Sequence, residues 1–249
     1  MRLPADWIVP DWPAPGRVRA FVTTRSGGVS EGEHRSLNLG TKCGDEPARV
    51  AANREAVQRH LPAAPRWLAQ VHGSAVADLD CADAPGHAAA DAAVTSVAGR
   101  VAVVLTADCL PVFLCREDGS RVAVAHAGWR GLAAGVLENA AAAVGAPAAR
   151  VLAWLGPAIG PAAFEVGPEV REAFVAAQPQ AQAAFVPRGK GKYLADLYAL
   201  ARLRLAQAGV RDVHGGGYCT YTEADRFFSY RRAKDGGRLG AFIWIDAGR

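Results

Sequence analysis

Two apolar runs rich in β-branched residues, Val101–Leu105 and Val122–Ala125, lie near the middle of the chain. Each is short enough for a strand and lacks the spacing of an amphipathic helix, so we predict two strands buried on both faces. Cys109 follows the first run and His126 ends the second. Because Pro111 cannot donate a ladder hydrogen bond, the first strand is expected to end or bulge at Asp108 and Cys109.

The same pattern places the other elements along the chain. Apolar runs predict strands over 18–24, 66–71, 92–95, 150–155 and 239–245, and helical spacing predicts helices over 48–60, 132–144, 168–177 and 193–207. Residues 25–47 are interpreted as a long polar loop and 81–99 as a surface connection. Irregular alternation of helices and strands indicates an α+β fold with mixed β-sheets. Without an internal repeat or a linker, residues 1–249 are expected to form a single domain.

Composition narrows the class of protein. The net charge of +4 permits an anionic ligand, but no basic stripe predicts nucleic-acid binding. No apolar run reaches the roughly 18–20 residues of a membrane span, and no leader pattern is present. The five cysteines form no Cys-x-x-Cys pair, which favours free thiols. We therefore expect a soluble cytoplasmic protein of enzyme size that binds neither nucleic acid nor membrane.

Three potential metal ligands share one pattern. His72, Cys109 and His126 each follow a predicted strand, and each is followed within two residues by Gly or Pro. Singly, a cysteine or histidine is more often structural, and Cys115 is interpreted as core. Together, two imidazoles and one thiolate suit a catalytic Zn²⁺ site with an open fourth position.

Several longer blocks carry a family resemblance. They are TTRSGG (23–28), QVHG (70–73), TADCLPV (106–112), HAGWRG (126–131), LGPAIG (155–160), FEVG (164–167) and FSYRR (228–232). They resemble the signature blocks of the laccase-domain family, once labelled multicopper polyphenol oxidoreductases. One departure is that Lys42 and Cys43 stand where the family usually has His-Val, so any role of the family's loop histidine is not carried over.

The resemblance implies a single domain layered α/β/β/α, with a metal held by His72, Cys109 and His126. It also implies phosphorolysis of adenosine, inosine and methylthioadenosine, and deamination of adenosine. The expected partners are therefore purine nucleosides and phosphate. A link to peptidoglycan precursor editing is implied for bacterial members.

The number and spacing of the histidines discriminate between the two activities associated with the family, multicopper oxidation and purine nucleoside chemistry. A true multicopper oxidase needs many histidines, usually in His-x-His pairs, and this chain has six histidines and no such pair. We reject a multicopper set, although a single copper could bind. Zn²⁺ remains the expected cofactor, since it can activate water for attack at C6 of adenine.

The remaining machinery is assigned by proximity. Asp108 is the nearest candidate proton shuttle, and Glu165 is a more distant one. Asp108 could equally be a structural residue at the end of a strand. Because no phosphate-binding glycine motif is present, phosphate must be held by arginines or a helix N-terminus. Arg130 and Arg231 are the main candidates, and Arg231 belongs to a basic cluster interleaved with aromatic residues at 226–238. Arg25 and Asn38 are further candidates.

Two alternatives stay open. Cys109 could be a thiolate nucleophile with His126 as its base, which would make a metal-independent Cys–His hydrolase or amidase acting on peptidoglycan precursors. The cleft could also belong to a non-catalytic protein that binds a nucleotide or sugar precursor. A Cys–His pair needs an orienting third group, whereas a metal site needs a third ligand, so His72 discriminates between these chemistries.

Overall fold

Two β-sheets pack face to face, and helices cover their outer faces in this computed structural model, which describes residues 3–81, 88–145 and 147–248. The strands are β1 Val18–Val22, β2 Val76–Asp78, β3 Ala92–Thr95, β4 Ala102–Thr106, β5 Leu110–Arg116, β6 Val122–Ala127, β7 Val151–Leu155, β8 Glu165–Val166, β9 Phe185–Gly189, β10 Lys192–Ala195, β11 Asp212–Gly215 and β12 Leu239–Ile245. The α-helices are α1 Pro47–Gln58, α2 Trp129–Ala133, α3 Val136–Val144, α4 Pro168–Val175 and α5 Leu197–Gln207.

The larger sheet has six strands in the order β11-β7-β5-β6-β3-β2. β11 and β7 are parallel, as are β2 and β3, whereas β6 pairs antiparallel with both β3 and β5. The second sheet is antiparallel, in the order β1-β12-β4. The structure therefore confirms the predicted α+β single domain with mixed sheets.

Side-chain alternation along β5 shows how the layers form. Val112 and Leu114 join the core against α3 and α5, while Phe113 and Cys115 join the core between the two sheets. A third core packs Val57 of α1 against the outer face of the smaller sheet. The resulting order is helix, sheet, sheet, helix, as the resemblance implies. The two predicted apolar runs form β4 and β6, which are buried on both faces apart from the half-buried Leu105. β5, the strand between them along the chain, was not predicted.

The predicted strand over 66–71 is wrong. Only Arg66 forms a bridge, to Ala102. Beyond it, the Gln70 side chain replaces backbone pairing, since its Nε2 donates to the Leu105 carbonyl at 2.8 Å and its Oε1 accepts from the Leu105 N–H at 2.7 Å. A side-chain amide therefore holds this segment beside β4.

Three further predictions need correction. Residues 192–195 form β10, and α5 begins only after Asp196, whose carboxylate caps the Ala199 N–H at 3.0 Å. The helix predicted over 132–144 is two helices, α2 and α3, interrupted at Gly135. The strand predicted over 92–95 is confirmed as β3, but it is fully buried, so the surface interpretation of 81–99 is wrong there. Residues 82–87 of that stretch lie outside the described part.

No helix among the described residues is long and apolar enough to cross a membrane.

Candidate metal centre and its cavity

Cys109 lies where the chain crosses from one sheet to the other. β4 ends at Thr106 in the smaller sheet and β5 begins at Leu110 in the larger one. The backbone turns sharply between them, since Asp108 has a φ of 83°. The break predicted at Asp108 and Cys109 is therefore confirmed, but Pro111 is not its cause, because Pro111 lies within β5. The Cys109 thiol lies at the crossover between the two sheets.

His126 lies on β6, one residue before its end, and pairs with Pro111 of β5. Gly128 then leads into α2. A Cβ atom at Gly128 would lie 2.8 Å from Cys109 Sγ and 3.2 Å from His72 Cδ2, closer than ordinary packing permits. Only glycine therefore lets this turn pass so close to the thiol and the second imidazole.

His72 reaches the same place from a loop rather than from a strand end. Its φ of 59° is uncommon for a residue with a side chain. The backbone N–H groups of Val71, His72 and Gly73 all donate to the Asp91 carboxylate, at 3.1, 2.9 and 2.7 Å. These three bonds hold the loop in a conformation that costs on the order of 1–3 kcal/mol.

The Asp91 carboxylate also fixes the second imidazole. His126 Nδ1 donates to its Oδ1 at 2.8 Å, and the His126 N–H donates to the Asp91 carbonyl at 2.7 Å. Burial acts to raise the pKa of Asp91, but the hydrogen bonds from His126 and the loop N–H groups lower it overall. An ionised carboxylate on Nδ1 leaves Nε2 of His126 free as a ligand atom.

The structure brings the three sequence-predicted ligands together. One ligand atom from each of His72, Cys109 and His126 lies within 4.8 Å of the other two. The two imidazole rings meet edge to face, with centroids 4.9 Å apart. Burial opposes ionisation of the Cys109 thiol, yet His126 and His72 outweigh it and lower its pKa to about 6. Burial likewise disfavours the His126 imidazolium, but the neighbouring Cys109 and Asp91 raise its pKa to about 9.

This donor set fits a single divalent ion. Two imidazole nitrogens and one thiolate would leave a tetrahedral metal one open position, and His72 is the exposed member of the three. The carboxylate behind His126 is the usual partner of a histidine that binds zinc. Across the described ranges 3–81, 88–145 and 147–248, this is the one such cluster of three His, Cys, Asp or Glu side chains. No multinuclear copper cluster is therefore found there.

The three ligands open into a cavity of about 850 Å³, within the range of about 300–1,000 Å³ for small-molecule sites. Its aromatic lining comes from Trp67, Trp129, Phe164 and Tyr230. Its cationic lining comes from Lys42, Arg54, Arg130, Arg231 and Arg238. Asp108 is the one acidic residue among the described residues that line it, so the cavity favours an anionic ligand.

Asp108 is held on several sides. Its carboxylate accepts hydrogen bonds from Thr220 Oγ1 at 2.6 Å, Ser229 Oγ at 3.0 Å and the Arg231 N–H at 2.7 Å. These contacts anchor the loop that precedes β12. The geometry therefore favours the structural interpretation of Asp108, and its proton-shuttle role stays a prediction. Glu165 is exposed and pairs with Arg188 at 3.3 Å.

The four predicted phosphate-binding residues divide into two pairs. Arg130 and Arg231 line the cavity. Arg25 and Asn38 do not line it, because both serve loop structure. Arg25 donates to the carbonyls of Arg35 and Ala224, each at 2.9 Å. Asn38 is fully buried, and its side chain bonds Gly40, Asp45 and Arg238.

The interleaved basic and aromatic cluster is mostly structural. Phe227 and Phe228 are buried in the core between the sheets. Arg226 pairs with Glu223 at 2.6 Å, and Arg232 donates to carbonyls of its own loop. Of this cluster, Tyr230, Arg231 and Arg238 reach the cavity.

Asp91 is the principal site residue that sequence reasoning missed. It lies in the Ala- and Asp-rich stretch interpreted as a surface connection, yet its side chain is fully buried. The signal was an acidic residue immediately before the short apolar run of β3. Arg54 and Trp67 were also missed, because they reach the cavity from α1 and from the segment held by Gln70.

The fold, the three-residue ligand group and the cavity together define a protein with a possible metal site, and comparison with known proteins identifies the family. The sequence model of the multi-copper polyphenol oxidoreductase laccase family matches residues 19–246. The chain belongs to this family, as the signature blocks suggest.

Curated relatives carry a different functional name. A purine nucleoside phosphorylase of Pseudomonas aeruginosa is 52% identical over 241 residues, covering 96% of this chain and 98% of that protein. Purine nucleoside phosphorylase YfiH of Escherichia coli K12 is 53% identical over 240 residues, with the same shares of each chain. These relatives support an enzyme role.

Solved structures agree on the fold. A Neisseria meningitidis protein of 50% identity superposes with a TM-score of 0.93, covering 97% of this chain and all of the other. YlmD from Geobacillus stearothermophilus, at 29% identity, gives a TM-score of 0.91 over 99% of this chain and 98% of its own.

Proposed function

We propose that this protein is a zinc-dependent purine nucleoside phosphorylase acting on adenosine, inosine and methylthioadenosine, and that it also deaminates adenosine. The observation that carries the proposal is the convergence of His72, Cys109 and His126 on one wall of a cationic cavity. The names of the two relatives above support the same substrate class. We assign the protein to the cytoplasm, consistent with the free thiols of its described cysteines.

In this proposal, different residues of the chain bind the metal, orient its ligands, attract phosphate and contact the purine. His72, Cys109 and His126 would hold the ion, and Asp91 would keep both imidazoles oriented. When bound, zinc supplies Lewis-acid polarisation of an oxygen ligand or activation of water. The lining arginines would attract phosphate and offset charge on its oxygens. Aromatic side chains such as Phe164 would offer an apolar face to the purine.

Phosphorolysis joins a phosphate oxygen to C1′ of the ribose as the glycosidic bond breaks and the base leaves with the bond electrons. The reaction therefore needs an anion and a nucleoside in one cavity of sufficient volume. Deamination at C6 needs water instead of phosphate, so the two activities differ in their dependence on added phosphate.

A nucleoside panel assayed with and without phosphate, and with and without a chelator, tests the proposal. We expect hypoxanthine from inosine only when phosphate is present, phosphate-independent ammonia release from adenosine, and loss of both after metal removal. Recovery on adding zinc would support zinc as the cofactor. Full activity in the metal-free protein would contradict the zinc proposal, and failure to cleave any nucleoside would contradict the phosphorylase proposal.

One observation favours a second candidate, a metal-independent Cys–His hydrolase or amidase. Asp91 on His126 Nδ1 is the orienting third group that such a mechanism requires. His72 separates the two: His72→Ala removes a metal ligand but leaves Cys109, His126 and Asp91 in place. Metal loss together with activity loss favours the zinc enzyme. Retained hydrolysis of an amide substrate by the metal-free His72→Ala variant favours the hydrolase.

A further inference from the structure

A group of cations surrounds the cavity loop formed by residues 38–43. Arg54 on α1 donates from Nε and Nη2 to the Leu39 carbonyl, at 2.9 and 2.8 Å. Arg238 donates its backbone N–H to Asn38 Oδ1 at 2.9 Å. Lys42 belongs to the loop itself, and its side chain is exposed. The loop therefore links all three cations, two of them through hydrogen bonds.

Gly40 brings one of these cations close to the loop. A Cβ atom at Gly40 would lie 2.7 Å from Arg238 Cγ and 3.0 Å from Cys43 Sγ. The missing side chain therefore allows the Arg238 stem to lie across the loop beside Cys43. Lys42, Cys43, Arg54 and Arg238 all line the cavity.

Both guanidinium groups are oriented by neighbours that do not neutralise them. Arg54 stacks over Trp67, 3.8 Å from the ring centroid, and Arg238 lies over Tyr230 at 5.7 Å. Arg238 Nη1 also donates to the carbonyls of Gly236 and Gly237. Each guanidinium has five N–H groups, so both keep donors for another partner.

The positive charge of this group is not balanced by carboxylates. Among the described residues, Lys42, Arg54 and Arg238 form no ion pair, whereas Arg49 of the same helix α1 pairs with both Glu31 and Glu46. Burial lowers the pKa of Arg54, as expected for a guanidinium without a compensating anion. Two oriented guanidinium groups over aromatic rings, with an unpaired lysine beside them, are suited to an oxyanion with several acceptor oxygens.

We propose that Lys42, Arg54 and Arg238 form an oxyanion site that binds a phosphate group. This inference rests on the proposed function for the identity of its ligand. Two sources share that chemistry: inorganic phosphate consumed in the reaction, and a phosphate ester on a nucleotide substrate. These three residues differ from Arg130 and Arg231, which line the same cavity and which sequence reasoning assigned to phosphate.

Binding of inorganic phosphate alone, measured by calorimetry, tests the site without requiring turnover. Lys42→Glu changes an exposed side chain and Arg54→Gln removes a fixed guanidinium, and each is expected to raise the phosphate Kd at least about tenfold. Lys192→Glu, at the exposed first residue of β10 and outside the cavity lining, makes the same charge change as Lys42→Glu and should alter Kd less than twofold.

Kinetics distinguish the two sources. If the KM for phosphate in inosine cleavage rises in both variants while the KM for inosine does not, the site holds inorganic phosphate. If kcat/KM falls for inosine 5′-monophosphate while the KM for phosphate is unchanged, the site holds the ester.

The proposal is overturned if wild type binds no phosphate, or if Lys42→Glu and Arg54→Gln both match Lys192→Glu. It is equally overturned if only Arg130→Gln or Arg231→Gln alters phosphate binding. A protein that binds phosphate through this site yet cleaves no nucleoside would contradict the proposed function and leave the oxyanion site standing.

Discussion

Asp91 contacts both histidines of the site, since its Oδ1 accepts from the His72 backbone N–H and from the His126 ring. It accepts three backbone N–H groups from residues 71–73 and the Nδ1 proton of His126. A single buried carboxylate therefore sets the position of one imidazole through its loop and the orientation of the other through its ring. Removing that carboxylate should disturb two metal ligands at once.

We predict that Asp91→Asn weakens zinc affinity by about 10–100-fold, the usual cost of losing such a partner. The amide NH₂ cannot accept the hydrogen bonds that the loop N–H groups now donate to Asp91. Competition with a chromogenic chelator measures the affinity directly. Asp80→Asn is the matched control, since Asp80 also accepts several hydrogen bonds but lies outside the cavity lining. Equal zinc affinity in the two variants would contradict the role of Asp91.

Cys109 and Cys115 lie close together in the sequence but have different surroundings. Cys109 faces two imidazoles, whereas burial between the sheets raises the pKa of Cys115 to about 12. We predict that Cys109→Ala loses bound metal and more than about 100-fold in activity, since a metal contributes several kcal/mol to such reactions.

Cys115→Ala provides the comparison for this prediction. It should keep full metal content and activity within about twofold, while lowering the free energy of unfolding by about 1 kcal/mol. Metal analysis, steady-state kinetics and urea unfolding measure the three quantities. Equal activity losses in the two variants would mean that the wrong thiol has been identified.

At the scale of elements, the turn from β6 into α2 requires glycine at position 128. Gly128→Ala would place a methyl group against the Cys109 sulfur. We predict a loss of zinc affinity of at least about tenfold and a destabilisation of about 1–3 kcal/mol. Gly217→Ala is the control, because a Cβ atom there meets nothing within 4 Å. Unchanged zinc affinity in Gly128→Ala would contradict the tight approach.

The edge of the large sheet has its own electrostatic support. Asp80 follows β2 and accepts hydrogen bonds from Thr95, the last residue of β3, and from Ser96 after it, and Arg100 lies at 3.0 Å. Burial acts to raise the pKa of Asp80, but these hydrogen bonds lower it to about 2 from 3.8. Because the native pKa is depressed, the Asp80 carboxylate stabilises the fold at pH values above its unfolded-state pKa. This stabilisation is lost as pH falls from about 4 towards 2.

We therefore predict that Asp80→Asn lowers the free energy of unfolding by about 2 kcal/mol at pH 7. The difference from wild type should shrink as pH falls from 4 to 2, when the native carboxylate also becomes protonated. Urea unfolding across this range measures it. The exposed Asp11→Asn should change little at either pH. A constant difference between Asp80→Asn and wild type would contradict the pKa assignment.

For the whole molecule, local patterns predicted the elements whose burial follows from their own residues. β4, β6 and β12 are continuous apolar runs, so their positions and two-sided burial could be read directly. The positions of Cys109 and His126 followed because Cys109 comes shortly after β4 and His126 lies near the end of β6. The family resemblance supplied the layer order.

What the sequence could not predict depends on contacts between distant residues. His72 reaches the site because Asp91, 19 residues away, holds its loop, and Gln70 replaces strand pairing across 35 residues. Arg25 and Asn38 have suitable chemistry, but loop carbonyls and side chains take up their polar groups. Conversely, Arg54 enters the cavity from a helix whose pattern shows no functional sign.

Zinc titration of the metal-free protein, followed by inosine phosphorolysis, tests the central claim most directly. Three ligands around one ion predict that activity rises linearly with added zinc and stops rising at one equivalent per chain. Phosphorolysis that is already maximal before any zinc is added, or that never depends on it, would contradict the account.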